Sequence, residues 1–232
     1  MRRALGFVAA SAAGYLIGTV PSADIVTRLA TGGRMNIRQE GTGNPGAANV
    51  AGVLGKKWGA AVLASDMGKG IVAARLGGRL GGRPALHVSG PAAVLGHCYP
   101  VWDDFDGGKG VATSGGQVLA TFPYYFPVDF VVGSVASRLP FFQRKAFAAT
   151  EAASAVWVAC SIVWWRRRWP TGAWGPQASI GLPMAAAASS AVIRLRFIQT
   201  NARVDQWREQ ESDGATPLAG AAAAAAAAHS EG

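Results

Sequence analysis

The feature that most constrains this chain is a series of apolar, small-residue runs, each breaking off at a polar or glycine-rich segment. The runs extend from Ala4 to Val20, Trp58 to Ala74, Pro84 to Cys98, Val111 to Phe122, Pro127 to Phe142, Ala146 to Trp165 and Ala173 to Ile193. Glycine and alanine dominate them, and small residues let helices in lipid approach closely. Gly and Pro are also commoner in membrane helices than in soluble ones. Only 15% of the residues are charged and mean hydropathy is +0.20, whereas an average soluble domain is about one quarter charged. The apolar excess needs a sink, and an all-α, polytopic membrane bundle of about seven spans supplies it. Several runs fall short of the ~20 residues that cross a bilayer upright. Disorder is excluded by hydrophobicity. A disulfide scaffold is excluded by two cysteines, Cys98 and Cys160, set far apart in apolar stretches as free thiols.

The charge balance is basic, with 22 Lys+Arg against 13 Asp+Glu. These residues are spread between apolar runs and form no dense stripe, which fits loops flanking membrane spans better than a nucleic-acid footprint. With the N-terminus outside, most Lys and Arg fall on the cytoplasmic side, as the positive-inside rule requires. Arg166-Arg167-Arg168 falls on the other side and conflicts with it. Met1-Arg2-Arg3 followed by Ala9-Ala10-Ser11-Ala12-Ala13 resembles a signal peptide. The apolar run continues through Tyr15-Leu16-Ile17-Gly18, however, and predicts a retained helix. Residues 1–208 are expected to form the membrane domain. Residues 209–232, polar and then running into eight alanines before His229, are expected to be a disordered tail without chemistry.

Three segments carry the polar chemistry. They are Asn36 to Asn49, Asp66 to Gly70, and Gly96 to Pro100 running on to Phe105 and Thr113. Glycine lets successive backbone N–H groups turn toward an anion, Arg or Lys supplies the countercharge, and Asn or Thr fixes direction. Gly107 to Gly110 immediately precede an apolar run, the loop-to-helix order that suits phosphate. Asp66 and Lys69 are three apart on one helical face and are expected to pair. Ionisable groups within spans are costly and usually functional. His97 is the candidate general base among the three histidines. No His/Cys/acid cluster has metal-ligand spacing, and no cofactor is implied. A Walker loop fails, because no Gly-Lys pair is followed by Ser or Thr. Gly41-Thr42-Gly43-Asn44-Pro45-Gly46 matches Gly-x-Gly-x-x-Gly, but the polar Met35 to Glu40 before it is no buried strand.

These segments, in this order, resemble the bacterial acyl-phosphate:glycerol-3-phosphate acyltransferase family. Gly18-Thr19-Val20-Pro21 matches its Gly-Ser-x-Pro. Asn36-Ile37-Arg38, Gly41-Thr42-Gly43-Asn44 and Gly46-Ala47-Ala48-Asn49 match its long first motif, Asp66 to Gly70 its Asp-x-x-Lys-Gly, and Gly96 to Thr113 its Gly-His and Gly-Gly-Lys-Gly-Val-Ala-Thr motif. The likeness runs from about Gly14 to Gly116. It implies a multi-pass enzyme of the bacterial plasma membrane whose active site faces the cytoplasm and whose partners are acyl phosphate, glycerol 3-phosphate and the lipid bilayer. On this reading Lys109 with the backbone of Gly107, Gly108 and Gly110 holds one phosphate, and Arg38 with Asn44 holds the other. Thr19 and Thr113 orient hydroxyls, and Gly41, Thr42, Gly43, Asn49, Asp66 and Lys69 complete the substrate site. The C-terminal half departs from the family: Phe147 and Thr150 stand where it has serines, and Ile198 stands at its histidine, with Asn201 retained. Those departures leave open a catalytically weak phosphate-binding relative, and the charged breaks leave open a phosphoester transporter.

Overall fold

The computed structural model describes residues 2–139 and 145–212. The regular secondary structure of those residues is helical, apart from one isolated β-bridge between Pro170 and Gln177. The α-helices are α1 (Arg2–Gly18), α2 (Ser22–Thr31), α3 (Ala47–Leu54), α4 (Lys56–Cys98), α5 (Val111–Thr121), α6 (Phe126–Ala136), α7 (Lys145–Arg167) and α8 (Gly181–Ser212). Short 3-10 turns occupy Ile37–Gln39 and Pro123–Tyr125. The chain divides into two compact units, Met1–Arg194 and Leu195–Gly232. The first holds every element discussed below, except that α8 continues into the second. Among the described residues, three stretches are long and apolar enough to cross a membrane: Ala4–Thr31, Ala146–Arg167 and Gly181–Ala202.

The polar end of the fold is built by α4. A straight helix of 43 residues would be about 65 Å long, roughly twice the ~30 Å hydrocarbon thickness. It does not stay straight. Gly82 adopts φ 75° and ψ −170°, a conformation open to glycine and strained for other residues. Beyond it the chain doubles back: Gly77 faces Ala85 and Ser89, and Gly78 faces Leu86. The two apolar runs read from sequence, Trp58 to Ala74 and Pro84 to Cys98, are therefore two arms of one hairpin. The first arm is longer than its apolar run, because Arg75 and Arg79 continue it.

Helix α1 lies along the second arm, with Gly14 against Ser89 and Gly18 against Ala93. The Ser89 hydroxyl bridges the pair by donating to Ala10 O at 2.9 Å. Helix α5 spans only about 16 Å and is embedded in protein, with Thr113, Gly116, Gln117, Val118, Ala120 and Thr121 buried. It crosses the first arm of α4 where Gly116 meets the Met67 backbone and Gly70 meets that of Thr113. Gln117 Oε1 accepts from Ser189 Oγ at 2.7 Å. An aromatic core closes this side. Phe122 stacks on Tyr125 at 5.6 Å and Tyr125 on Trp157 at 6.5 Å. Tyr125 Oη donates to Ala153 O at 2.7 Å.

Several boundaries differ from the sequence expectation. Helix α8 begins at Gly181, not Ala173. Gly172, Gly175 and Pro176 keep the preceding stretch irregular, and Trp174 Nε1 donates to Leu119 O near the end of α5 at 2.7 Å. Helix α6 ends at Ala136, and the last residues of the run expected to reach Phe142 lie outside the described residues. Helices α2 and α3 are short elements inside segments read as loop. The arginine triplet that conflicts with the positive-inside count caps α7. Arg166 and Arg167 occupy its last turn, where cations suit the helix dipole, and they lie over Trp165 and Trp169 at 5.8 and 6.0 Å. Helix α8 runs on to Ser212, past the start of the expected tail, and residues 213–232 lie outside the described residues.

The crossing of α4 and α5 is set by backbone contact, so a side chain there has no flexible neighbour to displace. Gly116→Val is expected to destabilise the fold by about 1–3 kcal/mol and to lower the thermal midpoint in detergent, followed by tryptophan fluorescence.

Candidate active site

The polar end starts from Arg38. Its position follows from the 3-10 turn Ile37–Gln39, which Asn36 caps by accepting from Arg38 N at 3.1 Å. Ile37 is buried with Ala23, Val50 and Val62 beneath the loop. That burial fixes the turn and sends the guanidinium the other way. Arg38 Nη2 lies 3.2 Å from Asp24 Oδ2 and 2.9 Å from Asp103 Oδ2, and Nη1 donates to Asp106 O at 2.5 Å. One planar fork thus ties α2, its own loop and the loop after α4. Asn49, at the start of α3, holds the same loop from below. Its Nδ2 donates to Ile37 O at 3.3 Å and Glu40 O at 2.9 Å, and its Oδ1 accepts from Thr42 N at 2.8 Å.

Behind this loop, the α4 hairpin brings three ionisable side chains together. Lys69 Nζ lies 2.8 Å from Asp66 Oδ1, and His97 Nδ1 lies 3.6 Å from the same oxygen. Asp66, Lys69 and His97 are 2%, 7% and 9% exposed. The expected Asp66–Lys69 pair therefore forms, as an ion pair whose angle falls outside hydrogen-bond geometry. His97 is within ionic reach of Asp66 but beyond hydrogen-bond length. The other edge of its ring, Nε2, lies against Gly108, which has no room for a Cβ.

One cleft gathers these groups. Thr19, Asp24, Arg38, Asp66, Lys69, His97, Asp103, Gly107 and Gly108 line it. Its free space is about 20 Å³, room for about one water molecule. Thr19 is buried there, with its hydroxyl donating to Leu16 O at 2.7 Å. The remaining sequence candidates stand elsewhere. Gly41, Thr42, Gly43, Asn44 and Asn49 form the loop behind the Arg38 turn and do not line the cleft. Lys109 and Gly110 follow the cleft wall into the start of α5. Thr113 is fully buried at the α4–α5 crossing.

The geometry corrects three expectations. Gly107 and Gly108 offer no open phosphate cradle: their N–H groups donate to Cys98 O at 3.0 Å and His97 O at 3.1 Å. These are the last carbonyls of α4, which have no intrahelical partner, and the returning loop satisfies them. Arg38 is not paired with Asn44 for a second phosphate, since two carboxylates already compensate it. Asn49 uses both ends of its amide to hold the loop, and both Nδ2 protons are spent there. Sequence reasoning also missed Asp24 and Asp103. The one hint was an acidic cluster, Asp103, Asp104 and Asp106, in a chain of net charge +9.

Comparison with known proteins bears on this arrangement. A family model described as glycerol-3-phosphate acyltransferase matches residues 8–204. A relative of that name from Exiguobacterium sibiricum is 48% identical over 115 residues, covering 50% of this chain and 55% of the relative. One from Paramagnetospirillum magneticum is 51% identical over 116 residues, covering 50% and 57%. One from Maricaulis maris is 41% identical over 149 residues, covering 64% and 67%. The first two matches thus span little more than half the length of those relatives. The crystal structure of PlsY (YgiH), an integral membrane glycerol 3-phosphate acyltransferase, in its glycerol 3-phosphate form superposes with a TM-score of 0.67. It shares 27% identity over 87% of this chain and 93% of that one. Its lysophosphatidic acid form superposes with a TM-score of 0.66 at the same identity and coverage.

Substitutions at the Asp66–Lys69 pair and at Asn49 test the architecture. Asp66→Ala leaves Lys69 buried without its countercharge and is expected to cost about 3–5 kcal/mol, whereas Asp66→Leu combined with Lys69→Met is expected to cost much less. Asn49→Asp sets a carboxylate against the Ile37 and Glu40 carbonyls and is expected to cost at least about 1–3 kcal/mol. Thermal unfolding of the purified protein checks both.

Proposed function

This chain belongs to the glycerol-3-phosphate acyltransferase family. From that membership we propose that it transfers a fatty acyl group from acyl phosphate to glycerol 3-phosphate, giving 1-acylglycerol 3-phosphate in a bacterial plasma membrane. The observation that carries the reading is the single cleft where Lys69, Asp66, His97 and Arg38 converge, beside the Gly-Gly-Lys-Gly turn that opens α5.

Acyl phosphate is an activated donor, so no covalent acyl-enzyme is needed. The glycerol hydroxyl oxygen attacks the acyl carbon, and the bond from that carbon to the phosphate oxygen breaks. The phosphate leaves with the electron pair. The hydroxyl proton passes to His97 and from there to the departing phosphate. Asp66 compensates the charge that His97 carries meanwhile. Positioning the two reactants contributes up to ~7–11 kcal/mol of barrier reduction in ideal geometry.

Charge decides where the donor phosphate sits. In the cleft, two cations, Arg38 and Lys69, face three carboxylates, Asp24, Asp66 and Asp103. The cleft wall alone therefore gives no net attraction for an anion. Lys109 and the N-terminal turn of α5 supply it, through a countercharge and the positive end of a helix whose first N–H groups lack intrahelical acceptors. The basic residues at this end, Arg28 on α2, Arg34 on the loop after it and Lys56 and Lys57 at the start of α4, support a cytoplasmic setting for it.

The test is acyl transfer by the purified full chain in detergent, with labelled glycerol 3-phosphate and either acyl phosphate or acyl-CoA as donor. Lysophosphatidate is expected from acyl phosphate alone, and Lys109→Ala is expected to reduce its formation by about two to three orders of magnitude. Folded protein that makes no product from either donor overturns the reading.

A further inference from the structure

A second cavity, of about 540 Å³, adjoins the cleft and shares Pro21, Asp24, Arg38 and Asp103 with it. The Arg38 ion pairs form the partition between the two. The cleft has room for little more than a water molecule, whereas this cavity falls in the roughly 300–1,000 Å³ range of small-molecule sites. Its far wall is basic. Arg28 on α2 and Arg34 on the loop both line it. Neither makes an ion pair among the described residues, whereas the third arginine, Arg38, is compensated by Asp24 and Asp103.

Two guanidinium groups without a carboxylate partner suit a doubly charged oxyanion. On the outer face of α2, beside the cavity, Ile25 and Leu29 are 45% and 74% exposed. This apolar edge lets a ligand carry an acyl chain.

We propose that this cavity is a second phosphate-monoester subsite, in series with the reactive cleft and separated from it by the Arg38 partition. Arg28 and Arg34 hold the phosphate. The assignment rests on the acyl-transfer reading for its choice of phosphate over other anions, but its test does not need turnover. The same chemistry serves a water-borne phosphate ester arriving or a lysophospholipid headgroup leaving.

The test is calorimetric titration of the full chain in detergent micelles, carried out in the Lys109→Ala background so that the donor phosphate site does not contribute. Inorganic phosphate is one arm, lysophosphatidate a second, and the zwitterionic phosphodiester lysophosphatidylcholine the control. Saturable binding is expected in that background, weakened at least about tenfold by Arg28→Gln with Arg34→Gln and largely restored by Arg28→Lys with Arg34→Lys. Tight binding of inorganic phosphate assigns the site to the soluble ester, and binding of lysophosphatidate alone assigns it to the lipid headgroup. The proposal fails if Lys109→Ala by itself abolishes binding of both. It also fails if the arginine substitutions leave affinity unchanged, or if lysophosphatidylcholine binds as well as lysophosphatidate.

Discussion

Asp66 holds the one carboxylate around which the polar end of the bundle closes. It lies between Lys69, a turn away on the same arm of α4, and His97, at the end of the other arm. A buried carboxylate without countercharge is among the costliest groups a fold can carry, so the two arms meet with Lys69 and the His97 ring facing it. The Gly82 reversal makes that meeting possible. The small-residue contacts of α1 and α5 with α4 then hold both arms close enough for side chains to touch across them.

From that centre the site is layered outward by hydrogen-bond completion. The last carbonyls of α4 have no partners within the helix, and the returning Gly107–Gly108 backbone supplies them. The loop that makes this return carries Asp103 and Asp106, which Arg38 engages from across the cleft. Arg38 is presented by a turn whose buried Ile37 and Asn49 bonds fix its direction. Each layer satisfies groups that the one beneath it leaves open, so residues that read as ligands in sequence serve as scaffold in the fold.

The balance of charge follows from the same layering. Carboxylates offset the cations of the cleft closely, and further positive charge lies at its margins. Lys109 and the start of α5 flank it on one side, and Arg28 and Arg34 flank it on the other. The proposed reaction, with two phosphorylated substrates and phosphate as a product, gains from this division. A centre of strong net positive charge would bind phosphate product as readily as substrate, whereas in the proposed reaction charge at the margins orients the phosphates and leaves the centre for proton transfer.

The apolar runs, the small-residue content and the ordered polar motifs were enough by themselves to set an all-helical membrane bundle and its family. Those properties are local: hydropathy, helical spacing and motif order are all written along the chain. The Asp66–Lys69 pair was legible because its partners are three residues apart. The Gly82 reversal was not, since Gly82 is one of many glycines and its φ is a consequence of how the arms pack. Asp24 and Asp103 escaped notice because each meets Arg38 only through distant contact, and an acid beside a glycine-rich loop reads as solvated. The fates of Gly107, Gly108 and Asn49 were likewise decided by the tertiary structure. Whether a donor is open to a ligand depends on which carbonyl lies opposite it, and only the folded chain brings that carbonyl there.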